Sequence, residues 1–560
     1  MILPHSEFSL ETARARLIPK DRPADPAEIA EKLGMAARRM GTDAFREKAA
    51  HALVQALRPG EILPDAYADY REIVSDGIGF FFRRLSLSRV ASLAADQILL
   101  APNTPARERL VALARSVPTL HKLGQIIARN RHLDPALRRL LATLENAAGG
   151  DDPETVRDRV RRELANYRAP YAIRMERALL FEASVGAVIG FSWTAPDTGR
   201  EGEGVFKVLK PGVRANLAEE FRILDALADH FDRNRDRYPL PTFRFRETFA
   251  DVRTALEEEI RLRGEQAHLR RADRFYADDE RVRVPSLLPF CTDNVTAMER
   301  MPGGKLSDLA MTPEERRDAA RALFRALIWK PLFSRSAETP FHGDPHAGNL
   351  YAFRGAAGEV LPVLLDWSLS ETLTLRQRAG MVRLVVDVLL GDPSAVAETL
   401  ARLSVDTDRA EIDRIAAEIL AEPAARRSGH LARAFEIIDR TGVAGIRFPR
   451  ALLLFRKAFF TLDGVLHDLD PDFDMDAAAA ELAADAFLRE LPRRWYAGLM
   501  PRLDRPDQYA TLLSNRDLAW FAGRLLLAAG ERGSRYLTGL AADQMELFRR
   551  AACLTLPAAC

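Results

Sequence analysis

Residues 341 to 370 read "FHGDPHAGNLYAFRGAAGEVLPVLLDWSLS", placing two His, two Asp and one Asn within a short reach. A hydrolytic metal centre, a phosphoryl-transfer site and an ordinary turn between core strands would each account for some of these residues. In a strand, His342, Asp344 and His346 alternate and would share one face. Gly343 and Pro345 lie between them, and Pro cannot join the ladder of a central strand, so a loop is expected. A zinc site would need further ligands, and the sequence offers no second His cluster.

Phosphoryl transfer uses more of the stretch. It requires a carboxylate to orient or deprotonate the acceptor, and oxygen ligands for Mg²⁺ bridging the phosphates. Asp344 and Asn349 have the five-residue separation of a base and a metal-binding Asn in H-R-D-x-x-x-x-N loops. Asp366 closes the apolar run "VLPVLLD", where a second Mg²⁺ ligand would end a buried strand.

Further upstream, the Val- and Phe-rich "SVGAVIGFSW" and "GEGVFKVLK" are joined by "TAPDTGRE" and predict a β-hairpin. Lys207 sits inside its second strand, where a phosphate would partner the amine. "FADVRTALEEEIRLRGEQAHLRRADRFY" predicts one long helix. Glu265 lies in its apolar stripe, between Leu262 and Leu269, and a Lys207–Glu265 ion pair would position phosphates. "EASVGAV" occupies the place of a phosphate loop, so Ala183, Ser184, Val185, Gly186 and Val188 are the expected nucleotide-contacting positions. Taken singly, these residues have plainer readings. Lys207 fits an edge-strand surface lysine, as Lys210 does; Glu265 fits a solvated helix charge, as Glu257 and Glu258 do. His346 fits a loop-fixing hydrogen-bond donor, and Asp293 and Asn294 fit a turn. The chain order Lys, Glu, Asp–Asn, Asp favours the joint reading. "RVRVPSLLP" and "VTAMERM" predict two more strands.

At these residues the sequence resembles the UbiB (AarF-type) atypical kinase-like family, implicated in ubiquinone and other quinone-lipid metabolism. The resemblance rests on "KLGQ" at 122–125, "FEASVGAV", "VFKVLKPGV", "GEQAHLRRADRFYADDERVRVP", "AMERMPGGKL", "FHGDPHAGNLY", "LLDW" and "FTLDGVLHDLDPDFDM". It implies an α+β, two-lobed protein-kinase-like fold with ATP and Mg²⁺ as cofactors. Lys207 would contact phosphate with Glu265 as its helix partner. Asp344 would be the catalytic carboxylate, Asn349 and Asp366 the Mg²⁺ ligands, and the backbone near Glu299 and Met301 the adenine hinge. Lys122, Gln125 and Glu259 would form a regulatory contact over the nucleotide pocket. The chain departs from the family in four places. The loop reads Phe181-Glu182-Ala183-Ser184-Val185-Gly186-Ala187 in place of A-A-A-S-I-G-Q, and Arg261 replaces the second acid of an E-x-D motif. "DWS" stands for D-F-G, and His268 for an Asn. Aminoglycoside- or choline-type phosphotransfer, and a non-catalytic nucleotide-gated lipid-binding scaffold, are the alternative functions.

The expected division is a helical extension (1–104), a helical segment with the K-x-G-Q motif (105–175), a small lobe (176–302), a large lobe (303–475) and a helical tail (476–560). Lys+Arg total 81 against 80 Asp+Glu, so no bulk field recruits nucleic acid. Cys291, Cys553 and Cys560 have no metal-ligand spacing and point to a reducing, cytoplasmic setting. Neither a secretory signal nor a membrane-spanning run is read from the sequence. The basic stretch "RERLVALARSVPTLHKLGQIIARNRHLDPALRRLL" has an apolar face suited to packing on the kinase lobe. An anionic membrane surface at the inner face, or a quinone-precursor lipid, is the further partner considered. The oligomeric state is not read from the sequence.

Overall fold

The computed structural model describes residues 9–19, 21–58, 63, 65–128, 152–238, 244–405, 408–422 and 429–524. Residues 129–151 of the helical segment expected over 105–175, and the tail from 525 onward with Cys553 and Cys560, lie outside the described residues. The chain forms two compact units, Met1–Gln266 with Leu287–Arg300, and Ala267–Ser286 with Met301–Cys560.

The first unit begins with helices that close on their own core of Phe45, Leu53, Phe81, Phe82 and Leu93. Asp25 caps Pro26–Met40 and Asp152 caps Pro153–Glu163; in each, Pro opens the helix where its missing N–H costs nothing. An antiparallel sheet follows in the order β1 (Arg174–Glu182), β2 (Gly186–Thr194), β3 (Glu201–Leu209) and β4 (Val295–Glu299). Ile189, Phe206 and Phe290 bury one face of it together with Val156 of Pro153–Glu163.

Three expectations change here. The single long helix is two, Phe245–Glu259 and Leu262–Tyr276. At the break, the Arg261 N–H turns back to the Glu258 carbonyl, and the Arg261 carbonyl receives the N–H groups of Gly264 and Glu265. A further helix, Val213–Arg233, packs with Phe245–Glu259 through Leu217, Leu224, Val252 and Leu256. "RVRVPSLLP" makes only single bridges, Arg283 to Val363 and Leu287 to Met298, because Pro285 and Pro289 have no N–H to extend a ladder.

The second unit pairs β6 (Glu338–His342) with β9 (Ser370–Thr374), and orders β5 (Gly304–Lys305), β7 (Leu350–Arg354) and β8 (Val360–Leu364) in another sheet. Capping boxes at Thr312–Glu315 and Thr374–Gln377 start the helices Pro313–Phe324 and Leu375–Leu390. Phe341 of β6 meets Phe455 of the helix Arg450–Leu469 edge-on. No helix among the described residues is long and apolar enough to cross a membrane.

Candidate functional site

In β3 the side chains alternate. Phe206 and Val208 are buried, which turns Lys207 to the opposite face, in register with Val188 on β2 and Thr296 on β4. The Lys207 amine donates to Glu265 Oε1 at 2.7 Å. The Glu265 side chain is 4% exposed and that of Lys207 24%; a carboxylate so far removed from water requires a cation. Leu262 and Leu269, one turn to either side, are both buried, as the apolar stripe predicts. The next residue secures the helix: Gln266 Nε2 donates to the carbonyls of Thr292 and Val295 and to Thr296 Oγ1.

Ala183, Ser184 and Val185 form the turn between β1 and β2. The Ala183 N–H is committed to the Gly186 carbonyl, and the Val185 carbonyl accepts from the Lys210 N–H. Lys210 is not the surface lysine expected: its amine donates to Glu182 Oε1 at 2.7 Å, clamping the base of the turn. A Cβ on Gly186 would approach the Val208 carbonyl oxygen to 3.0 Å, which favours glycine there.

Lys122, on Pro118–Ala128, makes an ion pair with Glu259. Gln125 lies on the same helix, and its side chain falls outside the described ones. Arg261 is exposed and reaches Glu257 at 3.5 Å, so the acid half of the motif keeps the lysine while the substituted half faces elsewhere. The start of the Lys122 helix is tied by Thr119, whose N–H and hydroxyl both donate to Glu220, itself paired with Arg89. Glu299 ends β4, opposite Gly204 of β3, and Met301 follows it as a half-buried residue of the second unit.

In the second unit, β6 ends at His342 and the chain turns. The Gly343 N–H donates to the Leu369 carbonyl, and a Cβ on Gly343 would lie 2.7 Å from that oxygen. The Asp344 N–H donates to His342 Nδ1, and His342 Nε2 donates to the Leu365 carbonyl. With Nδ1 accepting, the imidazole is held neutral. His346 fixes the loop as an acceptor, not the expected donor: Gly348 N–H donates to its Nδ1. Asn349 Nδ2 donates to the Asp344 carbonyl at 3.0 Å, and the Asn349 carbonyl receives the Leu365 N–H. Asp344, Asn349 and Asp366 are thus bound into one hydrogen-bonded frame. Asp366 sits at φ +51°, a left-handed conformation that Asp tolerates, and its Oδ1 accepts the Ser368 N–H.

Two departures from the family pattern find structural roles. Trp367, the "W" of "DWS", is buried, donates to the Leu364 carbonyl and lies 4.8 Å from the His342 ring. His268 Nδ1 donates to the Trp367 carbonyl at 3.2 Å. Among the described residues no three His, Cys, Asp or Glu side chains gather as a metal centre, and His342 has both ring nitrogens engaged, which removes the hydrolytic-metal reading of this loop. The amide oxygen of Asn349 and the carboxylate of Asp366 are hard oxygen donors of the kind Mg²⁺ takes when phosphates complete its shell.

Sequence reading missed Lys457. On the helix Arg450–Leu469, its amine lies 3.2 Å from Asp344 Oδ1. It is one cation in an amphipathic helix, more than 100 residues after its partner, and no local pattern marks it. Lys457→Met is expected to reduce turnover about tenfold through misplacement of Asp344, with nucleotide affinity unchanged; parallel kcat and binding measurements check this.

Burial lowers the pKa of His342 from its ordinary value. The unfolded chain therefore takes up a proton near pH 6.5 that the folded chain refuses, and stability falls as pH drops below that value. The expected slope from this group is at most about 1.4 kcal/mol per pH unit. Urea midpoints between neutral and mildly acid pH, compared with His342→Asn, should show a shallower pH dependence in the variant.

The first unit thus holds a lysine–glutamate pair beside a turn, and the second an Asp–Asn loop followed by a further Asp. The ABC1 atypical kinase-like domain matches residues 184–400. The chain is 25% identical over 437 residues to "Probable protein kinase UbiB" of Xanthomonas campestris pv. campestris (strain 8004), covering 75% of this chain and 77% of that protein. It is 26% identical over 454 residues to the protein of that name from Xanthomonas axonopodis pv. citri (strain 306), covering 78% and 80%. The solved complex of Rv3197 with erythromycin from Mycobacterium tuberculosis aligns at 16% identity and a TM-score of 0.35, covering 56% of this chain and 79% of that one. The chain thus carries an ABC1 atypical kinase-like domain and is similar to UbiB proteins along most of its length, with an α+β kinase-like fold and helical regions at both ends.

Proposed function

We propose that this protein binds ATP with Mg²⁺ and transfers its γ-phosphoryl group, to water or to an acceptor, in support of ubiquinone or related isoprenoid-lipid metabolism at the inner face of the membrane. The Lys207–Glu265 pair carries the reading. It is built, from both sides, of residues that hold one amine in place, and an amine so held suits a phosphate oxygen. In this reading Lys207 neutralises phosphate charge, and Glu265 keeps it extended. Asp344 takes the proton from the attacking hydroxyl, with Lys457 holding its carboxylate. Asn349 and Asp366 hold Mg²⁺, which when bound offsets the charge developing on the phosphates. The ABC1 atypical kinase-like domain and the similarity to UbiB proteins support the same chemistry and the lipid connection.

Thermal unfolding with ATP, with and without Mg²⁺, followed by phosphate release with and without anionic vesicles, tests the reading. Stabilisation that needs both ATP and Mg²⁺, with turnover, is the expected result. Stabilisation without turnover under any condition would support the scaffold alternative instead, and no stabilisation would overturn nucleotide binding.

A further inference from the structure

β1 changes face within its last four residues. Leu179 pairs with Ile189, which pairs in turn with Phe206 and, through it, Ala297; all four belong to the apolar core of the sheet. An unbroken strand would send Phe181, two residues on, to that same face. Instead the register slips by one residue between Leu179 and Phe181, and Phe181 pairs with Val188. Cross-strand partners share a face, so the second row runs Phe181, Val188, Lys207, Thr296. The bulge at Leu180 thus carries Phe181 out of the core and onto the side of the sheet that bears Lys207. Bulges beside active sites re-aim side chains in this way.

Along this row, exposure rises with distance from the helix Leu262–Tyr276. At the β4 end Thr296 is buried, its Oγ1 accepting from Gln266 Nε2. The Lys207 side chain is 24% exposed, and Phe181, at the β1 edge, is 62% exposed. The backbone beneath the ring is held. Glu182 points the other way and accepts the Lys210 amine at 2.7 Å, and the Ala183 N–H donates to the Gly186 carbonyl. An aromatic ring on a fixed backbone loses little freedom when a ligand covers it. Two strand spacings, about 10 Å, separate Phe181 from Lys207. A triphosphate held by the Lys207 amine would therefore lay its nucleoside end along Val188 and Phe181.

We propose that Phe181 stacks on the adenine base of bound ATP and sets the affinity for the nucleoside end of the ligand, an inference that rests on the ATP reading above. Phe181 stands at the first alanine of the A-A-A-S-I-G-Q pattern, so the contact belongs to this chain and is not supplied by the pattern. Titration calorimetry of the full-length protein with Mg·ATP, and with Mg·tripolyphosphate, which has phosphates and no base, tests it. Phe181→Ala is expected to raise the Kd for Mg·ATP about tenfold or more, the effect of losing one base–aromatic stack. The Kd for Mg·tripolyphosphate and the Tm of the apoprotein should stay at the wild-type level, and Phe181→Tyr should keep wild-type affinity for both ligands. Wild-type affinity for Mg·ATP in Phe181→Ala would overturn the inference and leave the nucleotide reading in place. Equal weakening of both ligands would overturn it too, since Phe181 would then act by shaping the turn. A wild-type protein that binds neither ligand would overturn the nucleotide reading itself.

Discussion

Asp344→Asn is expected to leave Mg·ATP stabilisation near the wild-type level and to slow ATP turnover about 10²–10⁴-fold, the range of a lost general base. The substitution is informative because two of the bonds that shape the loop use the main chain of Asp344: its N–H on His342 Nδ1, and its carbonyl receiving Asn349 Nδ2. Asn preserves both and nearly matches the side chain in shape. The lost negative charge also removes the partner of Lys457, so the Lys457→Met effect should largely vanish in the Asp344→Asn background. Unchanged turnover in Asp344→Asn would remove this residue from the chemistry. Lost stabilisation with ATP would mean that it binds nucleotide, contrary to the role proposed.

The residues of the site were legible where local pattern and chemistry agree. A lysine between Phe206 and Val208, and an acid between Leu262 and Leu269, each break an apolar environment in a way that only a partner resolves. The Asp344–Asn349 spacing could be read for the same reason: Gly343 and Pro345 forbid the competing strand. β1 was not legible. It is an edge strand, largely exposed on both faces, with irregular register against β2, so "RMERALLFE" shows no period of two. The break at Ile260–Arg261 was equally hidden, because neither residue is a helix breaker; it comes from backbone turns. Lys457 and the engagement of both His342 nitrogens are products of tertiary packing.

Asp366→Asn is expected to abolish the Mg²⁺-dependent part of ATP stabilisation while leaving the apoprotein's Tm nearly unchanged. The backbone at φ +51° would cost an Ala variant about 1–2 kcal/mol on its own, which would confuse lost binding with lost stability. Asn visits the left-handed region as readily as Asp, and its Oδ1 can still accept the Ser368 N–H that Asp366 accepts now. The substitution removes one negative charge from a proposed oxygen ligand. Stabilisation by a ligand follows its concentration over Kd, so each tenfold loss of affinity takes about 1.4 kcal/mol from a saturated complex. With carboxylate donation gone, Asn349 alone would be left of the two proposed protein ligands, and a divalent ion that retains its waters reluctantly exchanged has little reason to leave solvent for it. Differential scanning of the variant with ATP should then give the same Tm whether Mg²⁺ or a chelator is present. A Mg²⁺-dependent rise equal to the wild type's would show that Asp366 holds its strained turn for some purpose other than the metal.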